Sequence, residues 1–152
     1  MNRITNKVVG YIASPFVRIG GHMTFPPPLL AIVQTDGSYR WKEGNIAANL
    51  TLSHQLTTYS QTRKLLAAES CTETEWASIA YGLELALNKG EEAIGIENDN
   101  LGVVGTLMLN KDPRQKYAKY YKDIIMTLTK HSAWTGIRWI PREMNKADRL
   151  LR

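Results

Sequence analysis

From residue 29 onward, apolar runs alternate with polar breaks, and the period of the apolar positions changes part-way along the chain. LLAIVQTDGSY (residues 29–39) has an apolar start and a polar end, which predicts a strand buried on both faces that finishes at Asp36-Gly37. GNIAANLTLS (44–53) and TTYSQTRKLLAAES (57–70) are Thr-rich and alternating, and predict two more strands. Short links between the three make an antiparallel meander. The period then lengthens. In TETEWASIAYGLELALN (72–88), Trp76, Ile79, Ala80, Leu83 and Leu87 share one stripe, so a helix is expected with Thr72 or Thr74 as its cap. EAIGIEND (92–99) reads as a strand and LGVVGTLML (101–109) as a short helix. RQKYAKYYKDIIMTLTKH (114–131) reads as an amphipathic helix. Its stripe is Tyr117, Tyr120, Tyr121, Ile124, Ile125 and Leu128, flanked by Lys116, Lys119 and Lys122, and the tyrosines are expected in the core. WTGIRWIP (134–141) is a last strand before a terminal helix start. The order β-β-β-α-β-α-α-β-α predicts an α/β fold with helices against a mixed sheet.

The proline run FPPPLL (25–30) separates this pattern from what precedes it. Residues 1–28 are therefore an N-terminal extension, an added strand or an arm without an assigned role, and residues 29–152 are the main domain. The Lys/Arg-containing start mimics a signal peptide, but Ser14-Pro15 interrupts its apolar stretch and no small-residue cleavage site follows. No apolar run approaches the roughly 18 residues that a membrane span needs. A single cysteine, Cys71, excludes an internal disulfide. It fits a cytoplasmic setting and is read as a bystander. The net charge of +5 suggests a polyanionic partner, of which nucleic acid is the common case.

Three acids fall where chemistry is often placed. Asp36 and Asp99 each end an apolar strand. Glu75 lies on the helix face that carries Ile79, Gly82 and Ala86, so it should look toward the sheet, with Gly82 allowing close approach. A fourth, Asp148, follows the last strand. Each has a local explanation: a turn at Asp36-Gly37, a helix-dipole partner at Glu75, a cap near Asp99, and a capping box over Asn145 to Asp148. Carboxylates gathered at a sheet edge repel one another unless cations sit among them. An all-oxygen set suits Mg²⁺ or Mn²⁺ better than zinc, and points to metal-assisted chemistry on phosphate.

Four stretches resemble type 1 ribonuclease H in the family's order: TDGSY, TETEWASIAYGLELAL, IENDN and WIPREMNKADRL, across residues 29–152. The resemblance implies a five-stranded mixed sheet, an antiparallel meander of three strands followed by parallel strands. It also implies a four-carboxylate site of Asp36, Glu75, Asp99 and Asp148. Two Mg²⁺ ions, or Mn²⁺, would be held there, with Asp36 contacting both. Glu75 and Asp99 would hold the ion near the leaving 3′ oxygen, and Asp148 the ion that activates water. The implied activity is hydrolysis of the RNA strand of an RNA–DNA hybrid to 5′-phosphate and 3′-hydroxyl ends, by a monomer. Substrate contacts would come from Gly37, Ser38, Thr72, Asn100, Arg142 and Asn145.

The chain departs from the family in three places. Asn145 and Asp148 are three apart where the family has four, which turns Asp148 by about 100° unless the helix starts elsewhere. No histidine lies between Trp139 and Asp148; Arg142 stands there. Cys71-Thr72 occupies the place of two asparagines, so hybrid recognition falls to Thr72 and the Gly37 and Ser38 amides. No separate hybrid-binding domain is seen, which leaves Lys111, Arg114, Lys116 and Lys119 as candidates for phosphate contact. Two competing readings stay open: a resolvase- or integrase-like DNA nuclease, and a catalytically weak nucleic-acid-binding or assembly domain.

Overall fold

The computed structural model describes residues 15–54, 57–65 and 67–152; the signal-like start at residues 1–14 lies outside them. Six strands form one sheet: β1 (Val17–Gly20), β2 (Ala31–Arg40), β3 (Glu43–Thr51), β4 (Thr58–Leu65), β5 (Ala93–Asn98) and β6 (Trp134–Trp139). The helices are α1 (Cys71–Asn88), α2 (Leu101–Met108), α3 (Lys116–Thr129) and α4 (Lys146–Leu150), with a single 3₁₀ turn at Arg142–Met144. The spatial order is β1-β6-β5-β2-β3-β4. β2, β3 and β4 are the antiparallel meander, and β2, β5 and β6 run parallel.

The expected five strands are all present, and a sixth adds to them. β1 pairs antiparallel with β6 and covers its edge. Just before it, Phe16 lies across β5 and β6, where a Cβ at Gly95 would stand 2.6 Å from its ring. Arg138 stacks 4.1 Å above the same ring. It also donates to the buried Glu97 from Nε at 2.9 Å, and Glu97 accepts from Gln34 at 2.9 Å. Gln34 reaches on to the last loop, accepting from the Lys146 N–H at 2.8 Å. A polar bridge thus runs over this sheet face from β6 to the segment that leads into α4.

On the other face, α1 packs on β2 and β3. Val33, Ala48, Leu50, Ile79, Leu83, Ile94 and Ile96 meet there in the core. α1 starts earlier than expected. Ser70, not Thr72 or Thr74, is the cap, its hydroxyl accepting from the Glu73 N–H at 3.1 Å. Thr74 instead bonds back to the Cys71 carbonyl. α3 buries Ala118 and Ile125, while Tyr117, Tyr121, Ile124 and Leu128 pack only partly against the core. The stripe read from the sequence is wider than the face α3 shares with its neighbours. Tyr120 is 61% exposed and Lys122 is buried, its ammonium donating to the Lys111 carbonyl at 2.7 Å.

Gly82 sets how closely α1 lies on the sheet. A Cβ there would overlap Thr35 Cγ2 and stand 3.1 Å from Val33 Cγ2. Alanine would add about 1 kcal/mol of helix propensity, but overpacking a close contact costs about 1–3 kcal/mol. We expect Gly82→Ala to be destabilising by up to about 2 kcal/mol in urea unfolding, the reverse of a propensity-only expectation.

Candidate metal centre

The parallel ladder between β2 and β5 ends at Thr35 and Asn98. One position further on lie Asp99, just past the end of β5, and Asp36, which is within β2: that strand does not finish at Asp36-Gly37 as expected but stays paired with β3 as far as Arg40. Glu75 enters from the second turn of α1, and Asp36, Glu75 and Asp99 each bring an oxygen to within 4.8 Å of the others. Ends of neighbouring parallel strands are where open α/β sheets commonly place ligands. Glu75 faces the sheet, as its position on the helix predicts, and accepts from the Gly37 N–H at 2.9 Å. Gly37 admits this approach because a Cβ would lie 2.5 Å from the Thr74 carbonyl oxygen. The site opens into a cavity of about 230 Å³, whose lining also includes Ser38, Tyr39, Arg40 and Asp148.

Two buried amides hold the acids. Asn98 donates to the Thr35 carbonyl at 3.1 Å, to Thr35 Oγ1 at 3.0 Å and to Glu75 at 3.5 Å. Asn145 donates to the same carbonyl at 2.9 Å and to Asp99 Oδ2 at 3.1 Å. Its Oδ1 caps α4 at the Ala147 N–H. Asn145 is therefore a buried residue that positions Asp99, with both ends of its amide engaged inside the protein.

Burial pushes Asp36 up to about 7, helped by the charges of Asp99 and Asp148. Burial likewise pushes Glu75 up to about 9, with Asp36 and Asp99 adding to it. Asp99 is also raised by burial, against the hydrogen bond from Asn145. Asp148 behaves differently. Burial raises it, but the hydrogen bond from Arg152 and the charges of Arg142 and Arg152 prevail and hold it below the usual carboxylate range. Arg142 Nε lies 3.2 Å from one of its oxygens and an Arg152 guanidinium nitrogen 2.6 Å from the other. The shortened spacing thus still brings Asp148 to the cavity, as an ionised acid held by two arginines and outside the three-carboxylate group.

The remaining expected contacts divide between two places. Ser38 and Arg142 line the cavity with the acids. Thr72 and Asn100 line a neighbouring depression together with Lys111 and Arg114. Asn100 also caps α2 through the Val103 N–H at 3.0 Å. The Gly37 amide, expected to read a 2′-hydroxyl, is occupied by Glu75. Two contributors were missed. Asn98 stands beside Asp99 in the IENDN word, and Arg152 is four positions beyond Asp148 on a helix, a spacing at which side chains meet.

This arrangement defines a class. The RNase H1 of the halophilic archaeon Halobacterium salinarum NRC-1 superposes with a TM-score of 0.72 at 17% identity, over 80% of this chain and 92% of that one. The N-terminal RNase H domain of rv2228c from Mycobacterium tuberculosis, solved as a fusion with maltose-binding protein, gives 0.73 at 18% identity, over 80% and 90%. LC11-RNase H1 in complex with an RNA/DNA hybrid gives 0.67 at 16% identity, over 80% and 99%. The fold is that of RNase H. The family model described as reverse transcriptase-like matches residues 34–151, most of the chain, and the protein belongs to this family of RNase H-like proteins. No curated protein matches the sequence.

The raised acids give a pH dependence with a definite sign. A carboxyl whose pKa is higher in the fold than in the unfolded chain binds its proton more tightly when folded. Its contribution is complete below the unfolded value and is lost as pH rises through the folded one. Metal-free protein should therefore lose stability between about pH 4 and the values near 7 and 9 for Asp36 and Glu75. Asp36→Asn should flatten that decline and raise Tm above neutral pH, as read by thermal melts in EDTA.

Proposed function

We propose that this protein is a divalent-metal-dependent endonuclease that hydrolyses the RNA strand of RNA–DNA hybrids, leaving 5′-phosphate and 3′-hydroxyl ends. One observation carries the reading: three carboxylates from β2, the residue after β5 and α1 converge within 4.8 Å in an RNase H fold. The donor set is all oxygen, which suits Mg²⁺ or Mn²⁺. The upward displacement of Asp36 and Glu75 supports the same fit, because the protein supplies too little positive charge for the acids to ionise together.

Asp36, Glu75 and Asp99 would hold the metal, with Asp148 beside Asp36. Metal bound there would polarise the scissile phosphate and neutralise charge that develops in the transition state. The chain's own residues do the rest. Gly37, Asn98 and Asn145 fix the acids in place. Arg142, exposed at the rim, offers a guanidinium to an incoming phosphate. Ser38 and Thr72 carry hydroxyls suited to a ribose 2′-OH, the group that separates RNA from DNA. That one structural neighbour was solved with an RNA/DNA hybrid supports this substrate class. A second reading, a hybrid-binding domain without turnover, is favoured by one fact: both oxygens of Asp148 are engaged by arginines.

Labelled RNA–DNA hybrid, single-stranded RNA, duplex RNA and duplex DNA, each with Mg²⁺, Mn²⁺ or EDTA, separate these readings. We expect metal-dependent cutting confined to the RNA strand of the hybrid. Asp99→Asn should lower that rate by about 100-fold or more. Hybrid binding with no cutting would move the chain to the second reading, and full activity in Asp99→Asn would remove the site assignment. Arg152→Gln should tighten metal binding in calorimetry by freeing an oxygen of Asp148; an unchanged affinity would mean that the acid takes no part in holding metal.

A further inference from the structure

The β2–β3 hairpin closes through two residues, Trp41 and Lys42, between the paired Arg40 and Glu43. Both have positive φ, 55° and 63°. That is the two-residue hairpin turn for which Asn-Gly is the favoured sequence. A tryptophan is poorly suited to the left-handed region, and here burial does not compensate. Trp41 is 94% exposed, the highest value among the exposed large apolar side chains of the described residues. A strained indole in water contributes little to the fold, and such positions cluster where a ligand is met.

The tip is also connected to the candidate site. Ser38, Tyr39 and Arg40 line the carboxylate cavity, and β2 continues from them directly into Trp41. Arg40 and Lys42 flank the indole, and neither forms an ion pair with a described residue. The one acid of the turn, Glu43, is paired with Lys64 at 3.5 Å. The hairpin therefore presents a flat apolar ring between two cations. Cations of this kind pair with phosphates, while an aromatic ring packs against sugars and base edges.

We propose that Trp41, with Arg40 and Lys42, forms a second contact on the nucleic acid, resting on the minor-groove surface of a duplex away from the cut. It takes its substrate class from the nuclease reading but requires no catalysis. An A-like minor groove is wide and shallow, and a hairpin tip can lie in it. Asp36 and Trp41 are five positions apart on one extended segment. At about 3.3 Å per residue this is about 17 Å, the length of about five base pairs.

The test is hybrid binding by fluorescence anisotropy in an Asp36→Asn background, so that turnover does not interfere. We expect Trp41→Ala to weaken binding about tenfold, with the salt dependence unchanged. Trp41→Phe should restore most of the affinity. Lys42→Gln should instead lower the slope of log affinity against log salt by about one. Hybrids trimmed to fewer than about five base pairs on the hairpin side of the site should bind the parent as weakly as full-length hybrid binds Trp41→Ala. The double variant Trp41→Asn, Lys42→Gly should raise Tm by relieving the turn, yet still lose affinity. Equal binding by the parent and Trp41→Ala would overturn the proposal, as would a double variant whose Tm and affinity fall together. Wild-type protein that binds through Trp41 but does not cut would remove the nuclease reading and leave this contact standing.

Discussion

The site depends on how a sheet ladder is allowed to stop. β2 and β5 pair in parallel up to Thr35 and Asn98; β5 then ends while β2 runs on beside β3, which gives Asp36 and Asp99 a common space. The buried Thr35 carbonyl lies at the last pair of that ladder, and a buried polar group is costly unless it is bonded. The side-chain amides of Asn98 and Asn145 both donate to it. The same two amides also reach Glu75 and Asp99. The groups that brace the end of the ladder therefore also aim the carboxylates.

This arrangement exchanges stability for chemistry. Neutral amides orient acids without cancelling their charge, so burial acts on Asp36, Glu75 and Asp99 with little opposition. Asp148 has the opposite solution, two guanidinium groups and a carboxylate that stays ionised. The cavity thus has a side short of positive charge and a side already supplied with it. A cation is drawn to the first, while a phosphate approaching the second would compete with Asp148 for its arginines.

Much of this was legible in the sequence wherever a period was sustained. The meander, α1 and its inward Glu75 follow from runs long enough to display a repeat. What was hidden had no repeat to show. β1 is four residues long within a segment defined mainly by the prolines after it. Ser70 lost to Thr72 and Thr74 because several cap-competent residues adjoin, and only packing decides among them. Tyr120 was placed in the core by its spacing, but spacing does not tell how much of a helix face a neighbour covers. Asp36 and Asp99 could be found because each follows an apolar run, and Glu75 because it shares the helix face of Ile79, Gly82 and Ala86. Asn98 could not, since nothing in the sequence indicates which pair will be the last of a ladder. Arg152 becomes legible only when Asp148 is read together with the helix position one turn on.

α4 has five residues, far fewer than a helix needs to persist by itself in water. Its order is borrowed. Gln34 accepts from its first amide and Asn145 caps it, and both are tied to β2. The address of Asp148 is consequently written in the sheet and not in the helix that carries it. A lineage could then lose a residue between Asn145 and Asp148 and still deliver the acid to the same cavity, because the anchor points do not move with the deletion. Insertions and deletions in this last segment should be better tolerated than substitutions at Gln34, a residue that touches none of the acids.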